Sequence, residues 1–486
     1  MGSFLYRVDE LRAIERAAQA ALAPGTLMAR AGHAAAEWIA HRHGGSARSV
    51  AVVCGPGNNG GDGFVVAAGL RARGHDVCCV LLAGEPATDD ARAALERWTA
   101  GGGRVEPRLP VDRRFEVVID ALFGIGLARP LAGDFLDAVH WINRQPSVYA
   151  IDVPSGLDAD TGTWVGQVPG VHAAATITFI GDKPGLHTAH GPDAAGEVVV
   201  DTLGTRADPS SGHLIAVDDF DPVCSPRRRD SHKGSYGNLV VVGGGRGMVG
   251  AALLAGRAAL RLGAGRVYVD AIGAPELRVD PIRPELMFRS RQELEELQAI
   301  VVGCGLGLDS AAREAVSRIL AGNVPVVADA DALNLLAGDA DLQRRAAESA
   351  ATFVLTPHPL EAARLLGCSV VEIQADRVRA AVRLAQRYSC IVVLKGAGTV
   401  VARSDADYAI NPTGSPALAT AGTGDVLAGM IAALIAQGYD AWTSAQAAVW
   451  LHGRAAEGIG DIGLLADEVA LRATEVLRRL RAGVTA

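Results

Sequence analysis

Short apolar runs rich in β-branched residues alternate with alanine- and leucine-rich stretches along the whole chain. Residues 49–53 and the helical stretch after them are the first clear pair, and residues 238–242 begin the same alternation again. This is the pattern of parallel α/β proteins, in which each strand is followed by a helix that crosses back over the sheet. We therefore predict two doubly wound α/β domains, with ligands bound beyond the carboxyl ends of the strands.

The boundary between the two domains is predicted from length and polarity. A chain of 486 residues is too long for one ordinary core. Its most polar, structure-poor stretch is residues 202–232, which includes Arg227-Arg228-Arg229. We therefore predict domains at residues 1–215 and 222–486.

Composition excludes several classes of protein. A net charge of −8 argues against nucleic acid or an anionic membrane as the main partner. The seven cysteines are scattered without metal-ligand spacing, no apolar run reaches membrane-spanning length, and the N-terminus shows no signal-peptide pattern, so we expect a cytoplasmic protein. We also expect a homo-oligomer, because alanine-rich helices such as 441–458 suit packing between subunits.

Residues 54–63 read Cys-Gly-Pro-Gly-Asn-Asn-Gly-Gly-Asp-Gly. Glycine lets a backbone approach a ligand closely, and free amides at a helix start attract anions. A glycine-rich turn between a strand and a helix therefore indicates a nucleotide site. The alternative is a plain tight connection in a parallel sheet.

Two further polar turns follow apolar runs, one at Asp120 and one at residues 152–156. Parallel strands end at the same edge of a sheet, so these side chains can meet. An aspartate at the end of an apolar strand is costly unless it binds something, although either one alone could be a cap. With Asn59 and Ser155 they form an oxygen-rich cluster of the kind that suits a hard cation.

The segments GPGNNGGDGF, DALFGIGL and DVPSGLDADTG, in this order, resemble the NAD(P)H-hydrate epimerase domain over about residues 1–215. The resemblance implies a Rossmann-like domain that interconverts the two epimers of hydrated NAD(P)H. It implies a potassium ion bound by Asn59, Asp120 and Ser155. We assign Asp152 as general acid/base by hypothesis, because an aspartate shielded in a pocket has a raised pKa suited to proton transfer. The implied substrate contacts are Asn58, Asn59, Gly60, Gly61, Asp62, Gly124, Ile125, Gly126, Leu127, Ala128, Arg129, Pro130 and Asp152.

In the second half, Ala421-Gly422-Thr423-Gly424-Asp425 precedes an apolar helix. Glycines at a helix start leave amides free for a phosphoryl group, and an aspartate beside them can take the proton of an attacking hydroxyl. Asp425 could instead be a plain helix cap. Lys395 begins a glycine-rich turn after another strand, and His358 lies between two prolines at a third. Residues 245–250 satisfy a GxGxxG spacing, a weak signal that we do not interpret as a second NAD fold.

The segments HKGSYG, TPHP, LKGAGT and NPTGSPALATAGTGDVLAG resemble the ADP-dependent NAD(P)H-hydrate dehydratase, which has a ribokinase-like fold, over about residues 222–486. In that family ADP phosphorylates the ring hydroxyl, and elimination of phosphate then leaves NAD(P)H and AMP. Asp425 fits the base that activates the hydroxyl, and Mg²⁺ is expected to screen the phosphates. The implied ADP contacts are Lys395, Gly396, Ala397, Gly398, Thr399 and Gly424. The implied contacts of the hydrated nicotinamide nucleotide are Ala251, Gly305, His358 and Asp425.

Three positions depart from the common pattern: Leu360 replaces a glycine, Cys304 a proline and Ser415 an asparagine. We predict a bifunctional metabolite-repair enzyme whose partners are the hydrates NADHX and NADPHX and ADP, with no nucleic acid or membrane partner. The preference between NADH and NADPH stays open. The alternatives are a ribokinase-like small-molecule kinase and a catalytically inactive nucleotide-binding protein.

Overall fold

The computed structural model describes residues 3–44, 48–82 and 84–484. It contains two compact units: an N-terminal unit, Phe4–Ser210, and a C-terminal unit that begins at Ser211. The domain limits predicted from the sequence, 1–215 and 222–486, stay predictions. Among the described helices, none is long and apolar enough to cross a lipid bilayer.

The N-terminal unit is built on a parallel sheet. The strands of this sheet are β2 (Ser49–Cys54), β3 (Asp76–Leu81), β4 (Val105–Glu106), β5 (Val117–Ala121), β6 (Val148–Ile151), β7 (Ala175–Phe179) and β8 (Glu197–Asp201), and the unit also contains a short strand outside the sheet, β1 (Phe4–Leu5). Its helices are α1 (Val8–Ala21), α2 (Thr26–Arg42), α3 (Asn58–Ala72), α4 (Asp89–Ala100), α5 (Asp134–Ile142) and α6 (Gly191–Ala195), with a 3₁₀ turn at Pro184–Leu186. The sheet order is β4-β3-β2-β5-β6-β7-β8, and every pairing in it is parallel.

Alternation along β2 explains why helices cover both faces of this sheet. Val50, Val52 and Cys54 point into a core formed with residues of α2, α3 and α4. Ala51 and Val53 point into a second core that contains residues of α5. Side chains alternate between the two faces of a strand, so a strand buried on both faces reads as a continuous apolar run. The Rossmann-like, doubly wound architecture predicted for this half is confirmed.

The C-terminal unit has a larger sheet. Its strands are β9 (Gly212–Leu214), β10 (Asn238–Gly243), β11 (Arg266–Ala271), β12 (Met287–Phe288), β13 (Ala299–Val302), β14 (Val326–Ala328), β15 (Phe353–Leu355), β16 (Ile391–Leu394), β17 (Val400–Ala402) and β18 (Tyr408–Ile410). They lie in the order β9-β18-β17-β16-β15-β14-β13-β10-β11-β12. The pairings are parallel except those of β17, which runs antiparallel to β16 and β18.

Helices pack on both faces of this sheet, and the ribokinase-like architecture is confirmed. They are α7 (Asp221–Cys224), α8 (Val249–Arg261), α9 (Ser310–Leu320), α10 (Asp331–Gly338), α11 (Ala340–Glu348), α12 (Pro359–Leu366), α13 (Val370–Ala375), α14 (Arg377–Tyr388), α15 (Thr423–Ala436), α16 (Ala441–Arg454) and α17 (Ala466–Arg481). Short 3₁₀ turns occupy Val217–Phe220, Lys233–Tyr236, Arg291–Glu293 and Pro416–Leu418. Helix α15 is buried nearly all round and crosses α8 so closely that a Cβ on Gly429 would lie 3.0 Å from Cα of Ala255. This packing fixes the start of α15, and with it Asp425.

The polar stretch at residues 202–232 is more ordered than its composition indicates. It contains β9, which pairs with β18, followed by the 3₁₀ turn at Val217–Phe220 and by α7. The prediction of a structure-poor linker over these residues is therefore wrong in part. A three-residue strand and one-turn helices are too short to give a readable hydrophobic period.

Two candidate active sites

The first candidate site is a cavity of about 730 Å³ in the N-terminal unit. It lies beyond the ends of β2, β5 and β6, and helix α1 contributes to its wall. The described residues that line it include these predicted substrate contacts: Asn58, Asn59, Asp62, Gly124, Ile125, Gly126, Leu127 and Asp152. The predicted contacts Ala128, Arg129 and Pro130 are exposed and lie outside that lining set.

The glycine-rich segment differs from its prediction as a turn, because α3 begins at Asn58, within residues 54–63. A Cβ on Gly60 would lie 2.8 Å from the carbonyl carbon of Gly55, and one on Gly63 would lie 2.7 Å from Cβ of Ala121. These glycines are needed for close packing of a helix on the sheet rather than for a flexible turn. Gly61 is likewise buried, against Met28, so Gly60 and Gly61 lie beneath the cavity wall and Asn58, Asn59 and Asp62 form it.

Asp152 is fixed from two sides. Its Oδ2 accepts a hydrogen bond from the backbone N–H of Ile125 at 3.0 Å, and its Oδ1 lies 3.0 Å from Nζ of Lys183. Its backbone has φ of +68°, a strained conformation for a residue other than glycine. A Cβ on Gly124 would overlap Oδ2 and lie 3.2 Å from Cγ of Asp152, so the turn after β5 closes directly over this carboxylate.

Lys183, which sequence reasoning did not select, lines the cavity beside Asp152. Its side chain is 1% exposed. Besides the pair with Asp152, its ammonium donates to Oγ1 of Thr178 at 2.5 Å and to the carbonyls of Phe179 and Gly181 at 3.2 Å each. A buried cation needs such partners, so the environment of Lys183 is built for a charged lysine.

Two of the three predicted cation ligands, Asp120 and Ser155, are in contact at the strand ends, and the third, Asn59, lies in the first turn of α3. Asp120 is fully buried, and its carboxylate accepts hydrogen bonds from Oγ of Ser155 at 2.6 Å and from its N–H at 2.7 Å. Burial raises the pKa of Asp120 to about 6, although these hydrogen bonds oppose the rise. Asn59 is 8% exposed, and neither its Oδ1 nor its Nδ2 has a partner in the described part of the chain. An unpaired buried amide is costly, so its oxygen is available for a ligand.

Two more carboxyl groups face the same cavity. Burial raises the pKa of Asp62 well above that of an ordinary aspartate, and the charge of Asp152 raises it further. Glu15 of α1 behaves in the same way: burial and then Asp152 raise its pKa. The cavity thus contains acidic groups in different electrostatic surroundings.

The second candidate site lies at the start of α15 in the C-terminal unit. Asp425 stands in the first turn of that helix, whose N-cap is Gly422 with φ of +91°. Burial raises the pKa of Asp425 to about 6, with a further contribution from the charge of Asp329. Sγ of Cys304 and carboxylate oxygens of Asp329 and Asp425 all lie within 4.8 Å of one another. Burial, followed by these two carboxylates, raises the pKa of the Cys304 thiol well above its usual value.

Asp329, which sequence reasoning did not select, connects two predicted residues. It is 2% exposed, and its Oδ1 lies 2.7 Å from Nζ of Lys395. Burial would lower the pKa of Lys395, but Asp329 outweighs it and the pKa is raised. A Cβ on Gly424 would lie 3.2 Å from Nζ of Lys395 and 3.6 Å from Oδ2 of Asp329, so the ion pair lies against the start of α15.

His358 caps helix α12 at the same edge of the sheet. Its Nδ1 accepts hydrogen bonds from the N–H groups of Leu360 at 3.1 Å and Glu361 at 3.4 Å. Burial, and then the charge of Lys395, lower the pKa of His358. Burial raises the pKa of Glu361 to about 7, although Lys395 opposes the rise. Leu360 is exposed in the first turn of the helix, where a side chain is accommodated in place of glycine.

The remaining predicted residues lie on nearby turns. Gly305 has φ of +60°, and a Cβ there would lie 2.7 Å from the carbonyl oxygen of Met248 and 3.1 Å from Cβ of Ala251, so Gly305 and Ala251 are neighbours. The loop after β16 is more open: Gly396 and Ala397 are exposed and Gly398 and Thr399 half-buried. Oγ1 of Thr399 donates to the carbonyl of Gly396 at 3.0 Å. Oγ of Ser415 donates a hydrogen bond to the carbonyl of Ala456 at 3.0 Å.

A buried arginine that the sequence analysis also missed supports this loop from below. Arg377 is 2% exposed and donates to the carbonyls of Leu394 and Lys395 at 3.2 Å each. A Cβ on Gly396 would lie 2.8 Å from its Nη2, which explains why glycine follows the lysine.

Comparison with known proteins gives a consistent result for both halves. A family model described as YjeF-related protein N-terminus matches residues 24–185, and one described as NAD(P)H-hydrate dehydratase matches residues 239–471. The Bifunctional NAD(P)H-hydrate repair enzyme Nnr of Escherichia coli is 38% identical over 486 residues, covering 96% of this chain and 92% of that protein. The protein of the same name from Coxiella burnetii is also 38% identical, with 96% and 97% covered.

Shorter relatives match the C-terminal half. The ADP-dependent (S)-NAD(P)H-hydrate dehydratase of Neisseria meningitidis is 44% identical and covers 54% of this chain and 92% of its own length. A crystal structure of the ADP/ATP-dependent NAD(P)H-hydrate dehydratase from Bacillus subtilis is 34% identical, covers 54% of this chain and 96% of its own, and has a TM-score of 0.48. With full-length relatives at 38% identity, the chain belongs to the family of bifunctional NAD(P)H-hydrate repair enzymes.

Proposed function

We propose that this chain is a bifunctional repair enzyme for hydrated NADH and NADPH. Its N-terminal unit interconverts the R and S epimers of the hydrates, and its C-terminal unit dehydrates the S epimer with ADP, releasing AMP and phosphate. The observation that carries the proposal is the presence of two carboxylate-centred sites, each at the ligand edge of its own sheet, around Asp152 and Asp425. Relatives of full length bear the name of this activity.

In the N-terminal unit we assign Asp152 as the group that exchanges a proton with the substrate. It lines the cavity, and its two oxygens are held by Ile125 and Lys183, so its position is fixed before a ligand arrives. Preorganised groups avoid the cost of reorganising during the reaction. The amides at the start of α3, next to Asn58, suit the phosphates of the nucleotide.

We also propose that the first site binds K⁺ through Asn59, Asp120 and Ser155. The buried amide oxygen of Asn59 without a partner and the fully buried carboxylate of Asp120 support this, because both are better satisfied by a cation than by apolar surroundings. When bound, such an ion supplies a fixed positive charge near the phosphates of the substrate.

In the C-terminal unit we assign Asp425 as the base that takes the proton of the ring hydroxyl as it attacks the β-phosphate of ADP. Its position in the first turn of α15 supports this assignment, because free amides at a helix start suit a phosphoryl group in transfer. Lys395 and Asp329 form the adjoining charged wall, and the exposed loop after Lys395 is the proposed nucleotide contact.

We propose Mg²⁺ as the cation of the second site. The carboxylates of Asp329 and Asp425 are ligands that Mg²⁺ accepts, whereas the adjoining Cys304 thiol is not. We therefore expect the ion to be held mainly by the nucleotide phosphates, with these two aspartates beside it. When bound, it supplies charge that screens the phosphates.

One assay tests both activities together. The protein is incubated with mixed epimers of hydrated NADH, with and without ADP, and the recovery of NADH absorbance is followed. With ADP, we expect the wild-type chain to recover all of the NADH. After correction for spontaneous epimerisation, Asp152→Asn should recover only the S fraction, and Asp425→Asn should recover none. No recovery by the wild-type chain with either ADP or ATP would refute the proposal, and a stable phosphorylated product would favour a kinase.

We further propose a reducing, cytoplasmic location and a homo-oligomer. All seven cysteines are free, and six of them are buried, which supports the first point. The second stays a proposal from the sequence, because α16, the helix on which it was based, is buried in the core of its own unit and does not present its alanines to a second subunit. Sedimentation equilibrium would test it.

A further inference from the structure

Six charged groups line the cavity of the N-terminal unit. They come from three helices, α1, α3 and α4, and from the turns after β6 and β7, so they lie on several sides of the cavity. Acidic groups outnumber basic ones, which is an unfavourable setting for a substrate that itself carries phosphates. The carboxyl groups therefore need a chemical explanation. The acidic residues are Glu15, Asp62, Asp90 and Asp152, and the basic residues are Arg12 and Lys183.

Two of these carboxyl groups have opposite surroundings. Asp152 accepts a hydrogen bond from the N–H of Ile125 and forms an ion pair with Lys183. The carboxyl of Asp62 has no hydrogen bond or ion pair with any residue that the structure describes. Burial raises its pKa well above the ordinary value, and the charges of Asp152, Glu15 and Asp90 add to the rise. The cavity thus holds one carboxyl group that is fixed by a hydrogen bond and an ion pair, and one that has neither.

Resting on the proposed epimerase activity, we infer that Asp152 and Asp62 act as a base and an acid on the same carbon–nitrogen unit of the substrate, and that Lys183 is the positioning residue for Asp152. The dihydronicotinamide ring is an enamine, so water adds with its hydroxyl on the ring carbon bonded to nitrogen. That carbon is a hemiaminal, and it loses its configuration when the carbon–nitrogen bond opens. Pairs of titratable groups with divergent surroundings are the usual source of such acid and base roles.

The proposed steps balance without any further reactant. Asp152 takes the hydroxyl proton, the O–H electron pair forms an aldehyde C=O, and the carbon–nitrogen bond breaks with its electron pair moving to nitrogen. Asp62 gives its proton to that nitrogen. Rotation about the carbon–carbon bond beside the aldehyde presents its other face, and the reverse steps close the ring and return both protons.

Lys183 acts through Asp152 rather than on the substrate. Its ammonium has four oxygen neighbours, including Oγ1 of Thr178 and the carbonyls of Phe179 and Gly181, so its N–H groups are fully engaged. It pairs with Oδ1 of Asp152 and fixes the direction of that carboxylate.

The first test is Asp62→Asn, which keeps the shape of the side chain and removes its acidic proton. We expect kcat for epimerisation to fall about 10²- to 10⁴-fold, the usual contribution of general acid catalysis, with little change in KM. Asp137→Asn, on the exposed side of α5, is the matched control and should keep wild-type kcat. A folded Asp62→Asn variant with kcat within threefold of wild type would overturn the inference.

The pH profile separates catalysis from a structural role. The wild-type kcat should fall on the basic side as Asp62 loses its proton. Asp62→Asn should remove this basic limb, whereas Lys183→Met should keep it and lower kcat with little change in KM. A basic limb that persists in folded Asp62→Asn, a Lys183→Met variant with wild-type kcat, or a wild-type profile without a basic limb would contradict the assignment.

Isotope labelling tests the bond that breaks and needs no variant. In ¹⁸O-enriched water, ring opening at the carbon–nitrogen bond keeps the substrate oxygen, so the inverted epimer should carry little label. Incorporation of one solvent oxygen at each inversion would overturn the route. A wild-type chain that does not interconvert the epimers at all would instead refute the proposed function, so the two failures are distinguishable.

Discussion

Replacing Gly124 by alanine should disable the first site and leave the second intact. A Cβ at this position would overlap Oδ2 of Asp152, the oxygen that accepts the hydrogen bond from Ile125. Gly124 does not have a positive φ, so alanine is compatible with its backbone. The damage therefore comes from the clash alone, and the carboxylate has to move by on the order of 1 Å to relieve it.

The size of the effect follows from that displacement. Misplacing a catalytic group by about 1 Å costs about 10²-fold in rate, or about 2.7 kcal/mol of transition-state stabilisation. Overpacking costs about 1–3 kcal/mol of folding free energy, against a total of about 5–15 kcal/mol for a domain. The variant should therefore stay folded while kcat for epimerisation falls about 100-fold.

The assay starts from purified R epimer and follows the appearance of the S epimer by chromatography. Gly126→Ala is the matched control in the same turn, because a Cβ there meets nothing within 4 Å. Since Gly126 lines the cavity, we expect it to raise KM and to change kcat less than threefold. Dehydration of purified S epimer with ADP should be unchanged in both variants. A kcat for Gly124→Ala within threefold of that for Gly126→Ala would refute the claim that this turn fixes Asp152.

Three further predictions concern other residues. The pKa of Asp425 is raised to about 6 and the base must be ionised, so kcat for dehydration should fall tenfold per pH unit below about pH 6. A kcat that stays unchanged down to pH 5 would contradict this prediction. Arg257→Met should lower the unfolding free energy measured in urea by about 3–5 kcal/mol. Asp280 is fully buried and accepts hydrogen bonds from Nε and Nη2 of Arg257 at 2.7 and 2.8 Å, so the substitution leaves its carboxylate buried without its cation. Burial would raise the pKa of Asp280, but the hydrogen bonds it accepts, those from Arg257 first, lower that pKa. The difference in unfolding free energy between wild type and variant should therefore be largest at neutral pH and become smaller as the pH falls through the lowered pKa. An equal difference at pH 3 and pH 7 would count against the pairing. Asn59→Leu should raise the unfolding temperature of the potassium-free protein, because it removes a buried unpaired amide that destabilises the fold by about 1–3 kcal/mol. It should also abolish any rise of the unfolding temperature on adding K⁺. A K⁺ response equal to that of the wild type would refute the assigned site.

The α/β class, the order of the main elements and both central aspartates could be predicted from the sequence. The long strands were readable because they are buried on both faces, as β2 and β10 are. Asp152 and Asp425 stood out because local patterns surround them: an apolar strand before the first and glycines before the second. The assignment of the site residues to particular ligands stays a prediction.

The partners of those aspartates could not be predicted in the same way. Lys183 comes about 30 residues after Asp152, and the two meet only because β6 and β7 pair in parallel, with the N–H of Asp152 donating to the carbonyl of Ile177 at 2.8 Å. Such a contact depends on strand register, which leaves no local signature. Asp329 is different: it follows an apolar strand as Asp120 does, so the rule that selected Asp120 applied to it as well.

The close fit of α3 on the sheet changes what the glycine-rich motif can report about related chains. Gly60 and Gly63 face backbone and side chains of neighbouring strands rather than the cavity. Selection for folding alone would therefore preserve them in a descendant that had lost catalysis. A search with this motif finds chains that share the architecture, whereas on our proposal the identities at Asp62, Asp152 and Lys183 report on the epimerase site itself. Genome surveys of this family should score those three positions separately from the glycines.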